Sequence, residues 1–127
     1  MPTIASTLSL YSIPVVWFTT WYPHAWALIN IQNSIGFTNV QPRNNVARLK
    51  ENKSLSPQFV ARVERMEGAH ANGNEILPMW VAGVMAGNMA GLDNTTLNKH
   101  ALTFIALRLF FNYTYINQGS ELRGWFR

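Results

Sequence analysis

Glu75 and Arg108 stand out because each is isolated. Gly68 to Leu92 carries no other charged residue than Glu75, and His100 to Ser120 none other than Arg108. A charge alone in an apolar stretch either pairs with another group or binds something. On a helix advancing 100° per residue, Arg65, Gly68, Asn72 and Glu75 fall within an arc of about 80°, and Arg108, Phe111 and Tyr115 within about 60°. The simplest use of the two charges is a Glu75 to Arg108 ion pair holding helices together. Asn72 and Tyr115 add donors and acceptors beyond what one pair needs, which tips the reading towards a ligand site. No metal is expected, because His24, His70 and His100 follow no ligand spacing and the chain has no cysteine. Neither a phosphate-binding glycine loop nor a nucleophile elbow is present.

The elements that must position these residues follow from where charge is missing. The chain has 127 residues, enough for one domain, with 48% apolar residues and a formal charge of +4. Met1 to Pro42 contains no Asp, Glu, Lys or Arg, whereas Arg43 to Glu67 holds six of the ten basic residues and three of the six acids. The basic residues thus form a loop and not a nucleic-acid patch. Three nearly uncharged stretches, each sufficient to cross about 30 Å of hydrocarbon as a helix, predict an all-α integral membrane bundle. The spans are placed at about 8–31, 69–92 and 100–117 of a single domain over 1–127, with a loop at about 32–56. Pro14 and Pro23 are expected to kink the first span. Ser56 and Pro57 form a cap and a first-turn proline that start the second helix, which Pro78 is expected to kink. Gly83, Gly87 and Gly91 recur at i+4 on a face of small residues suited to close helix packing.

A short connection, Asp93 to Lys99, makes the second and third helices antiparallel and brings the two polar stripes to similar depth. Lys and Arg collect in the first loop and after the third span, at Arg123 and Arg127. That side is expected to be cytoplasmic.

The segment ERMEGAHANGNEILPMW (Glu64 to Trp80), followed by the spacing of Arg108 and Tyr115 and by LRG at Leu122 to Gly124, resembles the MAPEG family, the membrane-associated proteins in eicosanoid and glutathione metabolism. YSIP and YPHAW in the first span look like the fungal branch. The resemblance implies a four-helix protomer assembling as a homotrimer in the endoplasmic reticulum or another endomembrane, with glutathione as cosubstrate between helices of adjacent subunits. Lipophilic electrophiles or lipid hydroperoxides would arrive through the bilayer. Carried over by position, Arg65, Asn72, Glu75, Arg108 and Tyr115 are the expected glutathione contacts, and Arg108, Tyr115 and Arg123 the expected catalytic groups.

Two departures accompany the resemblance. Glutathione-conjugating members carry arginine where this chain has Gly68, and the fourth helix of the family is not visible before the sequence ends. The expected activity is that of a membrane-bound glutathione-dependent transferase or peroxidase. The alternative is a non-catalytic member that binds a lipid or a protein partner.

Overall fold

The computed structural model describes Met1 and residues 3–119, and among these every regular element is helical. Four α-helices follow in order: α1 (Ser12–Ile35), the short α2 (Asn45–Glu51), α3 (Pro57–Met89) and α4 (Asn94–Asn117). Single 3₁₀ turns, Ser9–Tyr11 and Pro42–Asn44, lead into α1 and α2. The three long helices form a bundle in which α3 runs against α1 and α4. At one end Ile31, Val63 and Ile116 share a core with Leu49 of α2. At the other, Trp80 Nε1 donates to Ser12 Oγ at 3.1 Å and stacks on Phe104 with centroids 4.0 Å apart.

Local chemistry sets the boundaries. Ser56 Oγ accepts from Phe59 N at 3.2 Å with Pro57 at the first helical position, so α3 starts where the sequence says it should. It ends at Met89, and past the Ala90 cap Gly91 takes a φ of +70° that suits a residue without Cβ, while Leu92 N closes onto the Gly87 carbonyl at 3.1 Å. Pro14 lies in the first turn of α1, where a missing N–H removes little, so of the two prolines expected to interrupt this helix only Pro23 is internal.

Two loop assignments are corrected. The connection expected over Asp93 to Lys99 is mostly helix, because Asp93 Oδ2 accepts from Thr96 N at 2.8 Å and from Thr96 Oγ1 at 3.0 Å and caps α4 at Asn94. These bonds hold the Asp93 carboxyl below its ordinary pKa of 3.8, the backbone bond from Thr96 contributing most. Within the expected loop after the first span, α1 continues to Ile35 and α2 forms, anchored by the fully buried Leu49. Seven residues are too few to be stable alone. Packing of Val46 and Leu49 on the core supports them.

The helices do not have the hydropathy expected of spans. Among the described residues, no helix is long and apolar enough to cross a membrane. At 24, 33 and 24 residues the lengths suffice. The shortfall is in apolarity, since Asn, Thr, His, Trp and Tyr are spread through α1, α3 and α4. Large apolar side chains nevertheless face outward, among them Trp17, Phe18 and Trp21 on α1 and Leu102, Leu107 and Phe110 on α4. The face of small residues on α3 is used in part: a Cβ at Gly87 would stand 2.8 Å from Leu97, whereas Gly83 faces open space.

Candidate functional site

The antiparallel register of α3 and α4 sets their stripes against each other at three levels. Arg65 Nε donates to the Ile116 carbonyl at 3.0 Å. One turn on, the Tyr115 ring covers Gly68 so closely that a Cβ there would stand 2.7 Å from the Tyr115 hydroxyl. At the third level Arg108 Nη1 donates to Asn72 Oδ1 at 2.8 Å.

Arg108 is only 7% exposed, and its guanidinium lies 4.8 Å from the centre of the Phe111 ring. Its Nε and Nη2 are buried and have no hydrogen-bond partner among the described residues. A buried cation without a counter-charge is costly, and an aromatic face offsets only part of that cost. The contact also orients Asn72. With Oδ1 engaged by a cation, the amide turns its two N–H donors away from Arg108, and Asn72 is itself half-buried.

Glu75 does not form the ion pair considered from the sequence. It is exposed, and no salt bridge joins it to Arg108 among the described residues. The register explains this. Glu75 falls between the Asn72–Arg108 and Trp80–Phe104 contacts, where α4 offers only Ile105, Ala106 and Leu107. Arg65, Asn72, Arg108 and Tyr115 are therefore brought together, with Glu75 at the outer edge. Arg123, expected to be catalytic, lies outside the described residues, as does the segment Leu122 to Gly124.

A second polar cluster was not expected. Pro23 has no N–H, so the Thr19 carbonyl one turn back lacks its helical donor. Asn112 Nδ2 fills it from α4 at 2.7 Å, and His70 Nδ1 donates from α3 to the next carbonyl, Thr20, at 2.9 Å. Gly73 lets α3 approach at this level, where a Cβ would stand 2.7 Å from both Thr20 Cγ2 and Oγ1. Two of the three histidines, scattered in sequence, meet here: His24 and His70 stack with centroids 4.9 Å apart, and His24 Nδ1 contacts Glu67 Oε1 at 2.9 Å. The signal was present in the chain. A proline inside a helix leaves a carbonyl that needs a donor from a neighbour.

The described residues thus form an all-helical bundle with Arg108 buried between α3 and α4. The sequence model of the MAPEG family matches residues 11–126, and the chain belongs to that family. The family is membrane-associated and is linked to glutathione or eicosanoid metabolism, generally as trimers that bind glutathione and lipophilic substrates. No curated protein and no solved structure matches the chain.

Proposed function

We propose that this protein is a membrane-bound, glutathione-dependent transferase or peroxidase acting on lipophilic electrophiles or lipid hydroperoxides. The observation that carries the reading is the Arg108 to Asn72 contact: a buried cation with unpartnered nitrogens, holding the oxygen of a half-buried amide and so leaving its N–H donors for another group. An anion beside Asn72 would supply the missing counter-charge. Glutathione fits this demand, since it brings two carboxylates, an ammonium and a thiol. Asn72 would donate to a carboxylate or to the sulfur, with Arg108 polarising it from behind and stabilising negative charge. Arg65 would hold the second carboxylate, Glu75 the ammonium, and the Tyr115 hydroxyl would help the thiol ionise. Arg108 acts here through Asn72 and is a positioning residue. Bound glutathione supplies the nucleophilic sulfur, which the chain lacks.

The same reading takes α1, α3 and α4 as membrane spans with the connection between α1 and α3, which includes α2, cytoplasmic, in a homotrimer of the endoplasmic reticulum or another endomembrane. Outward Trp, Phe and Leu side chains on α1 and α4 supply lipid- or subunit-facing surface. Resistance to alkaline extraction would support the spans, and release into the soluble fraction would refute them.

The alternative, a non-catalytic member, draws on Gly68. Where conjugating relatives are expected to carry arginine, Tyr115 occupies the space, so one cationic contact with glutathione is lost. Calorimetry of the purified protein with glutathione, together with thiolate absorbance, separates the readings. Binding that Asn72→Ala weakens about tenfold to a hundredfold, the range for a charge-assisted hydrogen bond, supports the enzyme. A stable protein with no affinity for glutathione supports the alternative.

A further inference from the structure

A cavity of about 420 Å³ opens at the α2 end of the bundle, lined by α1, α3 and the segment that joins them. Ile31, Phe37 and Val46 supply apolar wall. The charged lining is Glu64 and Glu67, one turn apart on α3, and Arg43 from the second 3₁₀ turn. Cavities of this size hold small-molecule ligands.

The carboxylates are fixed in place without being used up. His24 Nδ1 lies 2.9 and 3.1 Å from the two Glu67 oxygens, and a ring nitrogen that faces a carboxylate carries the hydrogen. His24 is fixed in turn by its stack on His70, whose Nδ1 bonds the Thr20 carbonyl and whose Nε2 accepts from Asn74 Nδ2 at 3.1 Å. One hydrogen shared by two oxygens leaves most of the Glu67 lone pairs open. On Glu64, Oε1 receives Lys50 Nζ, and Oε2 has no partner among the described residues. The side chains of His24, Glu67 and Glu64 are 38%, 29% and 38% exposed, so none is sealed from the cavity it lines. Arg43 is exposed, and its guanidinium forms no ion pair among the described residues. Lys50 balances Glu64, which leaves the Glu67 carboxylate and the Arg43 guanidinium in one cavity and not paired with each other. Opposite charges placed in this way suit a ligand that carries both signs.

We propose that this cavity binds a small zwitterion. Its primary ammonium donates to Glu67 and to the open oxygen of Glu64, its carboxylate or phosphate pairs with Arg43, and its apolar part packs on Ile31, Phe37 and Val46. A free apolar amino acid and the headgroup of an ethanolamine phospholipid share this chemistry. The site is separate from Arg108 and does not rest on the glutathione reading.

The test uses the full chain in an uncharged maltoside detergent, following the His24 ring by nuclear magnetic resonance. One arm titrates dihexanoyl phosphatidylethanolamine against dihexanoyl phosphatidylcholine, which replaces the ammonium hydrogens by methyl groups. The other titrates L-leucine against N-acetyl-L-leucine, which removes the ammonium. A saturable shift with at least one ammonium compound, about tenfold tighter than its matched partner, is expected. The arm that responds identifies the source. Glu67→Gln, which keeps an oxygen for His24, and Arg43→Gln, at an exposed position, should each weaken binding by about tenfold or more while the protein stays folded. Glutathione is itself a zwitterion, so Asn72→Ala separates the two sites and should leave this binding unchanged. The proposal is overturned by no saturable shift in either arm, by equal affinity with and without the ammonium hydrogens, by parental affinity in Glu67→Gln or Arg43→Gln, or by a loss in Asn72→Ala.

Discussion

Two close approaches on α3 lie five residues apart and differ in what they press against. At Gly73 the neighbour is Thr20, only 1% exposed and branched at Cβ, so it has nowhere to move. At Gly68 the neighbour is the far end of Tyr115, a longer side chain that is half-buried. Around Gly73 the two α1 carbonyls beside Pro23 both receive donors, from Asn112 and His70. Around Gly68 and Asn72 two Arg108 nitrogens lack partners among the described residues, whereas in the first cluster the unpartnered atom is one oxygen, Asn112 Oδ1. On the function proposed above, the first cluster holds the bundle, whereas the second turns Asn72 towards the ligand with Arg108 behind it.

Breaking the closed region should have the largest effect. Gly73→Val puts branched atoms where a single Cβ is already too close, and overpacking of this kind costs about 1–3 kcal/mol or more. Thermal unfolding in detergent should show a large loss of stability, and a melting temperature equal to the parent's would show that α1 and α3 separate easily. Asn112→Leu comes next. It leaves the Thr19 carbonyl buried without a donor, a cost of about 1–3 kcal/mol. Glutathione affinity of the folded fraction should be unchanged. Loss of affinity at unchanged stability would place Asn112 in the site instead.

The open region should respond differently. Gly68→Ala gains about 1 kcal/mol of helix propensity, and the required shift of Tyr115 offsets part of it, so stability should change little. Thiolate absorbance with bound glutathione should fall, because the Tyr115 hydroxyl moves. Strong destabilisation would mean that Tyr115 is as fixed as Thr20.

The smallest effect concerns neither region. Asp93 caps α4 with a lowered carboxyl pKa, so its stabilisation is fully present above the ordinary value of 3.8 and is lost as pH falls through the folded-state value. The parent should melt slightly higher than Asp93→Ala at neutral pH, with the gap closing under acid. A gap that persisted in acid would show that the cap does not depend on the carboxylate.

The comparison also shows what could be read in the chain. Ser56 and Pro57 announce α3 because the cap and the first-turn proline are local chemistry. Asn72 and Arg108 were foreseeable as neighbours, since two stripes on antiparallel helices must meet. Glu75 was not resolved, because a stripe about 80° wide does not fix register to within one turn. The start of α4 was read as loop because Asn94 to Lys99 is polar, although Asp93 three residues before Thr96 is a capping spacing. The Pro23 cluster was missed because its partners are distant in sequence, joined only by the requirement that Thr19 find a donor.

The most direct test of the account is glutathione calorimetry on the parent, Asn72→Ala and Arg108→Gln at matched folded fraction, in a mild detergent. The account predicts measurable binding by the parent, a loss of about tenfold to a hundredfold in Asn72→Ala, and a loss of similar size in Arg108→Gln because the two act as one unit. A folded parent that does not bind glutathione, or an Asn72→Ala protein that binds as well as the parent, would contradict it.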